Sequence, residues 1–372
     1  MLGNFDAAFK RIKESCDSEK EHDKHRALLG KLAECPLVLY GAGEGGRSLA
    51  KFFISKNISI ECFCDTNKRG IHPEIGIPII SPIQLVKDYP DSNILISSSN
   101  FANEIIANLK RLGVSPDRII TSVLLNRSNI KLEQFMQMYD GYKATYDFFQ
   151  DDMSKDIILG RIKGYLTEYP LFCESPVPFS TNEQYFEPGI VSFTANEVFV
   201  DCGVFRGETA ISFFERVNNQ YCHYYGFEID PANVQQSTAN LAEYSHIDII
   251  QKGLWNHETT LNFNSGDMSV CTISDSGNSI VSATTLDVFF STKRLNEYPT
   301  FIKMDIEGSE KQALLGAEWI IRKLKPKLAI SIYHKPEDIY ELPELIHRFN
   351  PNYRFYLRHY SKAMSETVLY CV

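Results

Sequence analysis

Two turns in the second half of the chain place acidic residues where predicted strands end. Asp201 ends one strand, and a turn with Gly203 and Gly207 follows before a predicted helix. Glycine lets a backbone turn sharply and lets a ligand approach closely. Glu228 ends the next strand, where it could accept hydrogen bonds from both hydroxyls of a ribose. These residues predict a nucleoside site at the carboxyl ends of the strands, and Glu228 alone suits a nicotinamide cofactor equally well.

A third strand end adds a cluster of charges. Lys303, Asp305 and Glu307 occupy alternating positions of the segment Ile302-Lys303-Met304-Asp305-Ile306-Glu307, and a strand sends alternating residues to one side. This pattern predicts a working site, and the structural alternative is a salt-bridged strand end. His334 follows a later strand and is either a general base or a hydrogen-bonded loop histidine. A divalent metal on Asp305 and Glu307 lacks an evident third ligand, so no metal is predicted.

These motifs resemble, in order and spacing, those of the FkbM family of methyltransferases over about residues 180 to 372. The similar runs are V-D-C-G-V-F-R-G-E-T, G-F-E-I-D-P, T-T-L-D, I-K-M-D-I-E-G-S-E and Tyr333-His334. The resemblance implies a seven-stranded class I methyltransferase sheet that binds S-adenosylmethionine and O-methylates a small molecule or a sugar. It also implies cofactor contacts from Asp201, Gly203 and Gly207 at the methionine part, Glu228 at the ribose, and Leu254 or Trp255 near the adenine.

Methyl transfer to a hydroxyl benefits from a base that accepts the proton as the bond forms. Asp305 and Glu307 are the candidate bases, with His334 as their rival. Lys303 would hold the carboxylates ionised or bind an anionic acceptor. The acceptor itself is not predicted, because acceptor contacts come from variable loops.

The first half contains a second glycine-rich turn. Gly41, Gly43 and Gly46 match G-x-G-x-x-G between a strand and a helix, and Asp65 ends the next strand. Residues 38 to 80 also resemble the amino-terminal domain of sugar acyltransferases, which binds nucleotide-sugars. The prediction is a Rossmann-like domain with a phosphate-bearing ligand. The alternatives are a domain without a ligand and one that serves dimerisation, so a homodimer stays open.

Alternation of strands and helices predicts an α/β protein with two Rossmann-like domains. The expected boundaries are 1–128 for the first domain, 129–180 for a helical connector and 181–372 for the methyltransferase domain. The net charge of −9 argues against general affinity for nucleic acid. No run approaches the roughly 18 apolar residues of a membrane span, so a soluble cytoplasmic protein is expected.

Two other functions compete with methyl transfer. One is an NAD-dependent oxidoreductase that uses the Gly41 turn and Asp65. The other is a non-enzymatic scaffold in which both nucleotide folds only bind ligands. The charged residues of the third strand end favour the methyltransferase, because most of the site-like residues lie in the second half.

Overall fold

The computed structural model describes residues 5–16, 30, 32, 35–97, 101–121, 130–166, 177–264, 272–273, 277–294, 297–361 and 364–372. These residues form two compact units. The front unit comprises described residues from 7 to 132 and from 161 to 166, and the rear unit comprises residues 5–6, 133–160 and 177 onward. The predicted connector 129–180 is therefore divided between the two units, and its boundary at residue 128 lies outside the described residues.

The front unit is built on a six-stranded sheet in the order β3-β4-β2-β1-β5-β6. All neighbouring strands are parallel except β3 and β4. The central strand β1 is fully buried, as expected for a parallel strand with neighbours on both sides. The strands are β1 (Leu37–Tyr40), β2 (Ile60–Cys64), β3 (Gly70–Ile71), β4 (Pro78–Ile80), β5 (Asn93–Ile96) and β6 (Ile119–Thr121). 

The first helices in the chain are α1 (Phe5–Cys16), α2 (Glu44–Ser55), α3 (Pro82–Asp88) and α4 (Ala102–Arg111), and a 3₁₀ turn spans Pro116–Arg118. Helix α2 begins directly after the glycine-rich turn and packs Leu49 and Phe53 into the core of the front unit. These apolar residues lie four apart, which places them on one face of a helix.

The rear unit contains a seven-stranded sheet in the order β16-β17-β15-β14-β7-β8-β9. Strand β17 is antiparallel to both of its neighbours, and the other pairs are parallel. The α/β class and the seven-stranded sheet are thus confirmed. The strands are β7 (Val198–Cys202), β8 (His223–Glu228), β9 (Ile247–Gln251), β14 (Phe301–Met304), β15 (Lys327–Ser331), β16 (Phe355–His359) and β17 (Thr367–Cys371).

The chain that follows β9 forms a four-stranded sheet in the order β10-β13-β11-β12. Its strands are β10 (Gly253–Leu254), β11 (Thr259–Asn264), β12 (Thr272–Ile273) and β13 (Ser279–Thr284). The helices from residue 132 onward are α5 (Leu132–Tyr146), α6 (Asp152–Leu166), α7 (Glu208–Arg216), α8 (Pro231–Asn240), α9 (Leu286–Ser291), α10 (Glu310–Leu315), α11 (Glu318–Lys323) and α12 (Asp338–Phe349).

The segment after β14 forms two short helices, α10 and α11, and not one continuous helix. A side chain at Gly316 would come within 2.1 Å of the Trp255 carbonyl oxygen, which lies against the break. The Asp287 carboxylate accepts hydrogen bonds from the backbone N–H groups of Trp319, at 2.9 Å, and Ile320, at 3.0 Å. These bonds satisfy donors in the first turn of α11, which gives the T-T-L-D segment a structural role.

Helix α5 contributes several aromatic side chains to the core. Phe135 and Tyr142 are fully buried, and the Tyr142 hydroxyl donates a hydrogen bond of 2.7 Å to the Pro336 carbonyl oxygen. Gly141 allows close approach to the Tyr340 ring, because a side chain there would lie 2.4 Å from it. Across the described part of the chain, no helix is both long enough and apolar enough to cross a membrane.

The packing of α2 against the Gly41 turn gives a first prediction. A Cβ atom at Gly46 would lie 1.9 Å from the Gly41 carbonyl oxygen. Alanine usually stabilises a helix relative to glycine by about 0.5–1 kcal/mol, but here overpacking should cost about 1–3 kcal/mol. We expect Gly46→Ala to lower the free energy of unfolding in urea. Ser55→Ala, at an exposed position of the same helix, is the control, and a stabilised Gly46→Ala protein would contradict the packing.

Candidate functional site

The predicted cofactor turn joins β7 to α7, and close packing requires its first glycine. Gly203 has a φ of +89°, and a side chain there would come within 2.0 Å of the Asp305 carbonyl oxygen. Gly207 has a φ of +93° and lies directly before α7. Both glycines therefore allow backbone conformations that side chains disfavour, and Gly203 brings the turn against the end of β14.

Glu228 organises this turn through three hydrogen bonds. Its carboxylate accepts from the backbone N–H groups of Phe205 at 2.9 Å, Ile229 at 2.8 Å and Asp230 at 2.9 Å. Burial raises the pKa of Glu228, and these three bonds oppose that shift. A carboxylate has about four acceptor positions, so one remains for a ribose hydroxyl. Most of the acceptor capacity of Glu228 therefore serves the turn, and its contact with a ribose stays a prediction.

Asp201 and Lys303 form a buried ion pair between the adjacent strands β7 and β14. The Lys303 ammonium lies 2.9 Å from Asp201 Oδ1, and the side chains are 3% and 0% exposed. Tyr224 donates a hydrogen bond to Asp201 Oδ2 at 2.9 Å. Burial favours a neutral Lys303, but the Asp201 and Asp305 carboxylates outweigh it and raise the pKa of Lys303. Lysine is therefore charged here, and the pair holds the two central strands together.

Lys303 and Asp201 are both enclosed by protein. The Lys303 ammonium donates to the Gly203 carbonyl oxygen at 2.7 Å and pairs with Asp201, and the Asp305 carboxylate also raises its pKa. The predicted alternation does not continue to Glu307, because β14 ends at Met304 and Glu307 adopts a φ of +55°. The Asp201 carboxylate is likewise enclosed, so its contribution to the turn is the support of Lys303.

Leu254 and Trp255 follow β9, as the sequence predicts. Leu254 is 4% exposed, and the Trp255 backbone N–H donates to the Thr284 carbonyl oxygen at 2.9 Å. The half-buried Trp255 ring packs against the core cluster of the four-stranded sheet, which includes Leu261 and Phe263. The assignment of either residue to the adenine stays a prediction.

Asp305 follows β14, beside the predicted cofactor turn, and two tyrosines hold its carboxylate. Its Oδ2 atom accepts a 2.7 Å hydrogen bond from the Tyr185 hydroxyl, and its Oδ1 atom accepts a 3.3 Å bond from the Tyr333 hydroxyl. Tyr185 is buried and has a φ of +69°. No sequence pattern indicates this contact, because Tyr185 lies about 120 residues before Asp305 in a segment without regular structure.

His334 lies among three carboxylates. Its Nε2 atom is 3.4 Å from Asp305 Oδ1 and 3.5 Å from Glu307 Oε2, and its Nδ1 atom is 3.2 Å from Glu310 Oε1. Burial favours the neutral imidazole, but the carboxylates, Glu310 foremost, outweigh it and raise the pKa of His334 to about 9. The structure thus brings together all three predicted base candidates and adds Glu310, which belongs to the same I-K-M-D-I-E-G-S-E segment.

Further carboxylates surround this cluster. Burial raises the pKa of Glu307 to about 7, and the neighbouring Asp305 and Glu310 carboxylates add to the shift while His334 opposes it. Burial also raises the pKa of Asp338 to about 7 and that of Glu366 above its usual range. Glu366 accepts a 2.7 Å hydrogen bond from Gln184. Clustered groups of perturbed pKa are typical of functional sites.

The front unit repeats the arrangement of an acidic residue beside a glycine turn. Asp65 Oδ2 accepts from the Ala42 backbone N–H at 2.9 Å, and Oδ1 accepts from those of Asn67 and Lys68 at 2.8 and 3.0 Å. Gly41 has a φ of +112°, and the turn leads through Gly43 into α2. The predicted residues therefore lie together, and nucleotide or nucleotide-sugar binding there stays a prediction.

The sheet order, with an antiparallel β17 between β15 and β16, and the glycine turn after β7 define a class I methyltransferase fold. The family model described as Methyltransferase FkbM domain matches residues 201–357. Residues 201–357 therefore match the predicted family, and the match agrees with the predicted cofactor, S-adenosylmethionine. A second model, described as C2185-like, N-terminal, matches residues 35–120 of the front unit.

A solved structure of similar fold covers both units. The crystal structure of methyltransferase FkbM from Methylobacillus flagellatus KT is 23% identical, with a TM-score of 0.63 over 93% of this chain and 92% of that chain. Fibrillarin from Aeropyrum pernix, solved with S-adenosyl-L-methionine, is 11% identical with a TM-score of 0.31, over 50% of this chain and 70% of that one. No curated protein matches the chain.

The buried ion pair gives a second prediction. Lys303→Met removes the cation and leaves Asp201 charged in an enclosed site, which should cost about 3–5 kcal/mol of the free energy of unfolding. The double variant Asp201→Asn/Lys303→Met removes both charges and should recover part of this loss. Urea unfolding of the wild type, both single variants and the double variant measures the coupling. Additive losses would show that the two groups do not interact.

Proposed function

We propose that the rear unit transfers a methyl group from S-adenosylmethionine to a hydroxyl oxygen of a small molecule or sugar. The observation that supports this most is the contact of Gly203 with the Asp305 backbone. It places the carboxylates of the acceptor side directly beside the cofactor turn. S-adenosylmethionine, when bound, supplies an electrophilic methyl group on a sulfonium centre, so the chain must position an acceptor and manage its proton.

The residues around the turn fit this cofactor. Gly203 and Gly207 would let its methionine part approach the backbone, and Glu228 has one acceptor position left for a ribose hydroxyl. Leu254 and Trp255 offer apolar surface at the next strand end. Asp201 acts through Lys303, whose ammonium holds the Gly203 carbonyl oxygen in place.

Glu307 is the general base that the geometry favours. Both oxygens of Asp305 accept hydrogen bonds from tyrosine hydroxyls, and the His334 side chain is only 9% exposed. The Glu307 side chain is 28% exposed, and its carboxylate makes no hydrogen bond to a described residue. It is therefore the carboxylate with both access to an acceptor hydroxyl and free lone pairs.

The ribose contact of Glu228 is testable by a thermodynamic cycle. S-adenosylhomocysteine and an analogue without one ribose hydroxyl are titrated calorimetrically into the wild type and Glu228→Ala. On the wild type, loss of the contacting hydroxyl should cost about 1–3 kcal/mol; on the variant it should cost little. Asp248→Asn, at an exposed position of β9, is the control, and NAD is a comparison ligand.

The coupling free energy is the difference between the cost of losing a hydroxyl on the wild type and on Glu228→Ala. If it is zero for each of the two ribose hydroxyls, Glu228 does not contact the ribose, even if Glu228→Ala weakens binding by disordering the turn. Tight binding of NAD in place of S-adenosylhomocysteine would favour the oxidoreductase alternative.

The base assignment gives a separate prediction. Glu307→Gln should lower turnover by roughly 10²–10⁴ and leave cofactor affinity unchanged, because the amide cannot accept the proton. Turnover is followed as S-adenosylhomocysteine formation with a panel of polyol and glycoside acceptors. Glu318→Gln, at a surface position on α11 with a side chain 46% exposed, is the matched control. Near-normal turnover in Glu307→Gln would mean that this carboxylate is not the base.

A further inference from the structure

Two buried side chains beside the predicted cofactor turn have three unsatisfied polar atoms between them. Both ring nitrogens of His334 and the Oε2 atom of Glu310 lack a hydrogen-bond partner among the described residues. The two side chains are 9% and 1% exposed. His334 Nδ1 lies 3.2 Å from Glu310 Oε1, within ion-pair distance, but its angles do not suit a hydrogen bond. Buried polar groups are almost always satisfied, so the arrangement points to a missing partner.

A metal cation that is coordinated by both oxygen and nitrogen atoms would satisfy these atoms. One donor atom from each of Asp305, Glu310 and His334 lies within 4.8 Å of the other two. Atoms that bind one ion at about 2.0–2.2 Å are separated by no more than about 4 Å, so small side-chain adjustments would suffice. The ligand set combines imidazole, which suits transition metals, with carboxylates, which suit harder ions such as Mn²⁺.

We propose that Asp305, Glu310 and His334 bind a divalent cation of the Mn²⁺ type. Two carboxylates balance its charge, and the imidazole supplies the third ligand. Glu307, which also faces the His334 ring, is left outside the ligand set and remains available to the acceptor.

The surroundings of the three ligands are those of an ordered metal site. Tyr185 and Tyr333 donate hydrogen bonds to the Asp305 carboxylate. The Ile306 backbone N–H donates to Glu310 Oε1 at 2.8 Å, which leaves Oε2 free. Such outer contacts orient metal ligands and are as much a part of a metal site as the ligands themselves.

A cation there would assist the proposed reaction, so this role rests on the proposed function. Three protein ligands leave coordination positions open for a hydroxyl oxygen of the acceptor. A bound cation lowers the pKa of such an oxygen, which eases proton loss to Glu307. Because the Asp305 backbone packs against Gly203, the activated oxygen would be held on the acceptor side of the cofactor turn.

The competing arrangement is a protonated His334 held only by the three carboxylates. That arrangement satisfies charge without any metal and predicts no stoichiometric Mn²⁺ binding. Direct binding measurements separate the two.

The test uses the full chain, purified with a chelator and then freed of it. Mn²⁺ is titrated by calorimetry and by the electron paramagnetic resonance signal of the free ion. We expect one Mn²⁺ per chain, with affinity reduced at least tenfold in Asp305→Asn and in Glu310→Gln. Glu344→Gln, an exposed position on α12, is the matched control and should bind as the wild type does. Asp305→Asn is the safer variant because Glu310 is fully buried, and urea unfolding verifies that each variant is folded.

Three results would overturn the proposal. The first is no Mn²⁺ binding by the wild type at millimolar concentration, and the second is several weak sites per chain. The third is that folded Asp305→Asn and Glu310→Gln proteins bind Mn²⁺ as tightly as the wild type does. Binding of S-adenosylhomocysteine is measured on the same samples. A chain that binds Mn²⁺ at this site and no S-adenosylhomocysteine would refute the proposed function and support the metal site. The reverse result would refute the metal site alone.

Discussion

The buried ion pair of Lys303 with Asp201 is the interaction on which the rest of the rear unit depends. It joins β7 and β14, the two strands at the centre of the seven-stranded sheet. The same ammonium donates to the Gly203 carbonyl oxygen and so fixes the cofactor turn relative to the strand that ends beside Asp305. A charge in the centre of a sheet is costly unless it is paired. Here the ion pair with Asp201 offsets that cost. The hydrogen bond from Lys303 to Gly203 also helps to set the distance between the predicted cofactor turn and the end of β14.

A second constraint recurs in both units. Glu228 and Asp65 each accept three backbone N–H groups around a glycine turn. An acidic residue in this position therefore shapes its turn first and meets a ligand with the acceptor capacity that remains. A glycine turn followed by an acidic residue therefore predicts the fold better than it predicts the ligand. For the same reason, the complete motif in the front unit does not by itself identify a bound nucleotide.

The acceptor side concentrates negative charge and backbone strain. Tyr185, Glu307 and Glu366 all have positive φ values near +60°, which are uncommon for residues other than glycine. Strained conformations persist where the surrounding structure fixes them, and they collect at functional sites. The carboxylates around His334 repel one another, and a proton or a cation on their common neighbour relieves that repulsion. The end of β14 is thus a place where positive charge is favoured.

The sequence by itself determined the strands that end within one residue of Asp201, Glu228 and Asp305, because buried parallel strands are apolar runs and their ends are marked by glycine and acidic residues. It also indicated the family, since these segments occur in a characteristic order. Only the tertiary structure decided that Lys303 turns inward, that Tyr185 contacts Asp305, and that Glu310 joins His334. Those contacts link residues that are far apart in the chain or lie in irregular segments, where neither period-two nor helical spacing indicates direction. The register of β14 against β7 and the sharp turn at Glu307 set them, and both depend on packing across the whole sheet.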